Sequence, residues 1–440
     1  MRQLIKNVHL LTMDEQYTEI PNAYVLIEDE TIKQIGRMVE PLPQVDTVID
    51  GNEGILLPGM INTHTHVGMI PFRSLGDDVP DRLRRFLFPL EQVMTKELAR
   101  ASAQYATAEM LLSGVTSFCD MYYFEDDIAE AVAEMESRAI LGETIIEMAT
   151  CDFTTPEQAL DWCDETFIQK WQHHPLITPA IAPHATNTNS PELLARIIDL
   201  GKKHQVPITM HVAEMTYEMT EFAEKYQQTP IAFLNDLGYF DHHFIMAHCI
   251  FTEESDLALL DDKQVSVAHC IGANTKSAKG VAPVKAMLTH HWDVGLGTDG
   301  PSSGNTLDLF TQMRMFANFH KTYEHDRGIF PAKEIVALAT IGGAKVLGLD
   351  TLVGSIEVGK KADVTLIETQ SLNMFPIFDA YSALVYSANA GNVSDVWVNG
   401  KHLVANKKLV KHDSQKLKTN LVKQMDTFIA EAQKRAATIK

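Results

Sequence analysis

Between residues 55 and 299 the sequence repeats one alternation eight times: a short apolar run, then a stretch of helical spacing. The runs lie at 55–66, 115–120, 139–146, 176–184, 207–212, 244–248, 265–269 and 294–299. The clearest helical stretch, 96–113, ends against Gly114. Parallel strands need a long crossover between them, usually a helix. Eight such units in a row predict an α/β fold, a (β/α)₈ TIM barrel. Outside this region the pattern changes. Segments 4–12, 23–28 and 31–35 near the start, and 362–368 and 393–399 near the end, alternate as half-buried strands do. The two ends are expected to pair as a small β-sandwich beside the barrel. The chain then divides into 1–54 and 351–405 for the sandwich, 55–350 for the barrel, and 406–440 for a basic C-terminal helix. From Lys401 onward there are ten Lys/Arg against three Asp/Glu, and 414–437 has helical apolar spacing. This segment is expected to lie as a solvated helix on an acidic body.

Active sites of such barrels gather at the C-terminal ends of the strands. Reading each run to its end gives a consistent set. The first ends in His64 and His66, two residues apart and so on one face of the strand. The fifth delivers His211, the sixth His248 and the eighth Asp299. His64, His66, His211 and Asp299 supply three imidazoles and a carboxylate, a donor set for one divalent ion. Zn²⁺ is expected, with Fe²⁺ and Mn²⁺ also suited. The fourth run has no lysine to be carbamylated and bridge two metals, so a single ion is expected. Glu214, three residues past His211, can reach a water at the site without joining the ligands, and so can carry protons. Asp299 opens a tight Gly-Pro-Ser-Ser-Gly turn that allows close approach by a substrate. His269, at the end of the seventh run, is placed either to line the pocket or to pack. The doublets His173/His174, His242/His243 and His290/His291 read as surface residues.

Composition narrows the function classes. The formal charge is 37 − 58 = −21, which repels phosphate backbones and argues against nucleic acid as a partner. No segment approaches the roughly 20 apolar residues of a membrane span, and the first residues read as a strand, not as a leader. Five scattered cysteines without a Cys-x-x-Cys pair fit a reducing cytoplasm. A homo-oligomer is expected only on the general ground that soluble enzymes are often symmetric.

Several motifs resemble the amidohydrolase superfamily. They are Pro58-Gly59-Met60-Ile61-Asn62-Thr63-His64-Thr65-His66, His211-Val212-Ala213-Glu214, Ala247-His248-Cys249, Gly297-Thr298-Asp299-Gly300 and the closing Gly354-Ser-Ile-Glu-Val-Gly-Lys-Lys-Ala-Asp363. The resemblance covers about residues 4 to 404. It is strongest to the branch of 5-methylthioadenosine/S-adenosylhomocysteine deaminases and triazine chlorohydrolases. Arg73-Ser-Leu-Gly-Asp-Asp-Val-Pro80, Pro89-Leu90-Glu91, Ala182-Pro183-His184 and Asn305-Thr306-Leu307-Asp308 carry that placement.

The resemblance implies that His64, His66, His211 and Asp299 hold the metal and that Glu214 and His248 are catalytic. It also implies that Glu91 contacts ribose hydroxyls and His184 the substrate. Three segments depart from the pattern. After His184 the chain reads Ala185-Thr-Asn-Thr-Asn-Ser190, where relatives carry an aromatic residue and a cysteine. Cys270-Ile271 follows His269 where relatives often have Asn-Pro. Glu143 stands where the deaminases carry a substrate-binding arginine, and a carboxylate there would repel the carboxylate of S-adenosylhomocysteine.

The expected activity is hydrolytic deamination of an aminated heterocycle, an adenosine-type nucleoside such as 5-methylthioadenosine. Asp299 would act as both ligand and base. His248 would steady the attacking oxygen, and a Glu214 kept protonated by an apolar pocket would protonate the ring. Alternatives are a guanine- or cytosine-type base deaminase, a triazine-type chlorohydrolase, and, remotely, a barrel scaffold without catalysis.

Overall fold

The computed structural model describes residues 1–38 and 42–439. The chain opens with four strands, β1 (Arg2–Leu11), β2 (Glu19–Glu28), β3 (Thr31–Arg37) and β4 (Thr47–Pro58). Eight more follow, β5 (Met60–Thr65), β6 (Val115–Tyr122), β7 (Arg138–Ile145), β8 (Ile177–Pro183), β9 (Ile208–Val212), β10 (Phe244–His248), β11 (Ser266–His269) and β12 (Asp293–Leu296). These eight lie side by side in chain order, each parallel to the next. Helices occupy the crossovers. Their strands are buried on both faces, which is why each reads as an unbroken apolar run. The last strand returns to the first. Asp299 N–H donates to the His64 carbonyl at 3.0 Å. Asn62 and Thr298 exchange two further bonds of 2.7 and 3.0 Å. The (β/α)₈ barrel expected from the repeat is the fold.

The terminal segments also meet as expected. β13 (Val364–Ile367), β14 (Val393–Val398), β15 (Lys401–Ala405) and β16 (Lys408–Leu409) join β1–β4 in a second sheet, in the order β16-β15-β14-β13-β4-β1-β2-β3. Both ends of the chain supply its core: Ile5, Val25, Ile32 and Leu56 pack with Val364, Leu366 and Trp397. Arg138 of β7 fixes this unit to the barrel. Its guanidinium makes a bidentate pair with the buried Asp363, at 2.8 and 3.1 Å.

Two local readings of the sequence change. The apolar run 55–66 is two strands in two sheets: residues 55–58 close β4, which pairs with β1 and β13, and the barrel starts at Met60. Hydropathy cannot show this break, because both halves are core. Pro58-Gly59 makes the turn, and a Cβ on Gly59 would lie 2.1 Å from Thr116 Oγ1. The 414–437 segment is likewise two helices, Ser414–Gln424 and Asp426–Ile439, and not one. The first packs on the helix Lys96–Leu112, the second on the short helix Phe88–Glu91. Phe428 is buried edge-on against Phe72, ring centres 4.7 Å apart. The basic charges of this region do meet the body: Lys401 and Lys411 both pair with Glu136, at 2.7 and 2.5 Å.

Candidate active site

The predicted ligands converge at the C-terminal end of the barrel. His66 Nε2 lies 3.1 Å from Asp299 Oδ1, and His64 Nε2 lies 4.0 Å from the same oxygen. His64 Nε2 and His211 Nε2 are 3.2 Å apart. His248 stacks on His211 with ring centres 5.4 Å apart and lies within reach of the same cluster. All are buried or nearly so. The backbone works to bring them there. A register shift between Asn62 and Thr65 adds a residue to β5 against β6, and such a bulge turns the following side chains to the other face. His248 and Asp299 sit at φ of 73° and 57°, a left-handed conformation unusual for non-glycine residues and frequent at working sites.

Partners behind the imidazoles set their tautomers. A carbonyl oxygen only accepts, so His66 Nδ1–H donates to Met121 O and His211 Nδ1–H to His184 O, both at 2.6 Å. The His211 Nε2 lone pair is thereby left facing inward, whereas on His66 burial is outweighed by the Asp299 carboxylate, which accepts from Nε2–H and raises that imidazole to about 9. Burial holds the imidazole of His64 well below its ordinary range, with the charges of His66 and His211 adding to it, and burial does the same to His211. Burial opposes charge on Asp299 too, but its hydrogen bond to His66 outweighs this and keeps the carboxyl well below the usual range. The result is two neutral imidazoles with Nε2 atoms in contact, beside a charged carboxylate. The Nδ1 of His64 is buried without a hydrogen-bond partner among the described residues. Inward lone pairs crowded beside a carboxylate, away from water, are a donor set that a divalent cation satisfies. Gly300 leaves the space this needs, since a Cβ there would press on His66 Cβ at 3.0 Å.

Glu214 lies beside this cluster with Oε1 3.6 Å from His248 Nε2. Its surroundings differ from the apolar pocket expected. Lys279 reaches in and pairs with the same oxygen. Burial alone would raise the Glu214 carboxyl, but the charges of His248 and Lys279 outweigh burial and hold it at about 2. Glu214 is therefore ionised at neutral pH. Its backbone is fixed as well: the Glu218 carboxylate accepts the N–H groups of Ala213 and Glu214, each at 2.9 Å. Asn274, buried, accepts from His248 Nδ1–H at 2.8 Å and aims the opposite nitrogen at Glu214.

The proposed substrate contacts ring the same end. His184 closes β8, with Nδ1 3.1 Å from Thr188 Oγ1; burial lowers its pKa to about 4, leaving it neutral. The divergent 185–190 loop thus supplies the partner that orients this ring. Glu91 follows the turn 83–87 across the barrel mouth, where Phe88 meets His184 edge-on and Arg84 lies over Tyr217. The Glu91 side chain makes no hydrogen bond to any described residue, and burial pushes its carboxyl up to about 7 against the opposing charge of His66. Glu143 is not such a contact. It is fully buried and accepts the N–H of Glu125 at 3.0 Å, and burial with the neighbouring Asp152 raises its carboxyl well above the usual range. Its surroundings disfavour the repelling charge the sequence suggested. His269 packs against His320 (Nε2–Nε2 3.0 Å), away from the ligands. His242 and His243 are half-buried and donate to the carbonyls of Val206 and Val346, so this doublet is not a surface pair.

Sequence reasoning missed Asn274, Glu218 and Lys279. Glu218 had a signal, an acid four residues past Glu214 in the first turn of a helix. Asn274 and Lys279 had none, because only the fold brings their loop to β9 and β10.

A parallel barrel with clustered imidazoles, a carboxylate and a buried glutamate at its strand ends defines a metal-dependent hydrolase scaffold. Residues 55–403 match the model of the amidohydrolase family, and the chain belongs to that family. It is an enzyme of the amidohydrolase type. The 5-methylthioadenosine/S-adenosylhomocysteine deaminase of Thermoanaerobacter pseudethanolicus is 37% identical over 433 residues, 98% of this chain and 100% of that protein. The 5′-deoxyadenosine deaminase of Methanosarcina barkeri is 34% identical over 97% of this chain and 98% of its own length. Among solved structures, a zinc-bound adenosine deaminase from Xanthomonas campestris superposes with a TM-score of 0.94 at 29% identity, covering 97% of this chain and 98% of that one.

Proposed function

We propose that the protein is a hydrolytic deaminase of an adenosine-type nucleoside, 5-methylthioadenosine being the leading candidate, and that it releases ammonia. The observation that carries this is the placement of Glu214 and His248 beside the convergent His64, His66, His211 and Asp299. Relatives named as deaminases of adenosine-type nucleosides support the substrate class. His64, His66, His211 and Asp299 would hold one Zn²⁺, the ion of the solved relative. When bound, such an ion acidifies water near neutral pH.

The side chains account for the rest. Asp299, ionised and held by His66, takes a proton from the attacking water. His248, aimed by Asn274, steadies the incoming oxygen through Nε2. Glu214 starts as a carboxylate, receives that water-derived proton from Asp299, and hands it to the ring nitrogen next to the amine-bearing carbon, which becomes electrophilic as the oxygen adds. Asp299 then takes the remaining hydroxyl proton of the adduct and gives it to the amine, the C–N bond breaks, and ammonia leaves. Glu91, without a hydrogen-bond partner among the described residues, offers acceptors to ribose hydroxyls, and His184 contacts the purine.

Ammonia release should be followed side by side for adenosine, 5-methylthioadenosine, S-adenosylhomocysteine, guanine and a chlorotriazine, with chloride release for the last. Turnover concentrated in the nucleosides is expected; turnover confined to guanine or to chloride release would reject the proposal. Glu214→Gln should lower kcat by about 10²–10⁴-fold with the zinc content unchanged.

A further inference from the structure

The segment after His269 carries two side chains that hold the two proton-handling residues. Asn274 accepts from His248. Five residues on, Lys279 pairs with Glu214. The two supports are themselves joined, because Lys279 N–H donates to the Asn274 carbonyl at 3.0 Å. Flanking backbone fixes the turn: Ala278 is left-handed at φ 54° and Gly280 sits at φ 140°. The Lys279 side chain is 23% exposed and that of Glu214 17%, so the pair is largely removed from water and more strongly coupled than a surface pair.

An ammonium so placed limits what Glu214 can do. It occupies Oε1, the oxygen nearer His248, and Oε2 has no hydrogen-bond partner among the described residues. Aspartate and glutamate side chains rotate freely unless pinned, and a misplacement of about 1 Å at a reacting group can cost 10²-fold in rate. Resting on the deaminase reading above, we propose that Lys279 is a positioning residue that acts on the reaction only through Glu214, pinning its carboxylate beside His248. The titratable groups near Glu214 are His248, His211, His184, Tyr217, Glu218, Cys270 and Lys279, from β8 to β10 and the flanking loops. Lys279 is the lysine among them, and it sits on the catalytic oxygen.

The test is a double-mutant cycle on the zinc-loaded enzyme, with ammonia release from 5-methylthioadenosine as the readout. Lys279→Met should lower kcat by about 10–100-fold with KM within about threefold of the parent. In the Glu214→Gln background the same change should cost less than about threefold, because a residue acting through Glu214 has nothing left to position. Lys279→Arg should recover kcat to within about fivefold of the parent. Circular dichroism and zinc content are measured for each variant, and the arginine variant carries the test should the methionine variant not fold. Equal losses in both backgrounds, an effect confined to KM, or an unchanged kcat in Lys279→Met would each overturn the assignment. Failure of the deaminase reading has a different signature: the parent enzyme itself would release no ammonia from 5-methylthioadenosine, whatever residue stands at 279.

Discussion

The floor and the rim of this barrel are built from the same strands by different rules. At the floor, Ile61, Cys119, Ile140, Ala180, Ile245, Ala247 and Ala268 fill the interior, and a two-residue alternation decides which side chain points in. At the rim that alternation fails. His64 has the parity opposite to Ile61 and reaches the interior past the bulge in β5. His248 directly follows the inward Ala247 and is turned by a left-handed backbone, as is Asp299. The floor is regular because packing alone is at stake there. The rim spends regularity to aim ligands, and the Asn62–Thr298 and Met121–His66 bonds hold the irregular backbone in place.

This contrast breaks cleanly under mutation. Asp299→Ala removes a rim group proposed as both ligand and base. Its turnover should fall by about 10³–10⁴-fold and its zinc stoichiometry below one per chain, while thermal unfolding of the metal-free protein shifts little. Retention of both zinc and activity would dissolve the distinction. At the floor, Ile245→Ala empties a fully buried position. The expected loss is about 2–5 kcal/mol of stability, read by denaturant unfolding, with kcat per folded molecule within about twofold of the parent.

Glu91 sharpens the comparison from the rim side with the smallest effect. Its carboxyl is pushed up to about 7, against about 4.3 in an unfolded chain. Between these values the folded protein retains a proton that the unfolded chain has released. Stability therefore falls as pH rises through that window, and the whole penalty, at most about 4 kcal/mol, is present above pH ~7. Glu91→Gln should melt higher than the parent at pH 8, with the gap closing by pH 4, and should raise KM for the nucleoside. A melting temperature shift of equal size at both pH values would show that the carboxyl carries no such cost.

Much of this was legible along the chain. The barrel strands match their apolar runs to within one to three residues at most ends, and 244–248 matches β10 at both. The helix expected over 96–113 runs Lys96–Leu112. The ligand candidates were legible because strand-end position is a one-dimensional property. What escaped had a tertiary cause. The run 55–66 hides a passage between two sheets, since Pro58-Gly59 lies between two equally buried halves. Glu143 was read by its charge, yet its environment disfavours that charge. Glu214 was read as protonated in an apolar pocket, and Lys279, distant in sequence, reverses its charge state.

By itself the sequence determined the eightfold strand–helix alternation, the pairing of the chain's two ends, and the residue types offered at the strand ends, because hydropathy period and chemical identity are carried residue by residue. The tertiary structure alone decided which face His64 and His248 present, which tautomer each imidazole holds, and whether Glu91, Glu143 and Glu214 are charged. Those depend on a one-residue bulge, on left-handed turns and on the electric field of neighbours far away in the chain, and such quantities exist only once the strands have closed into a ring.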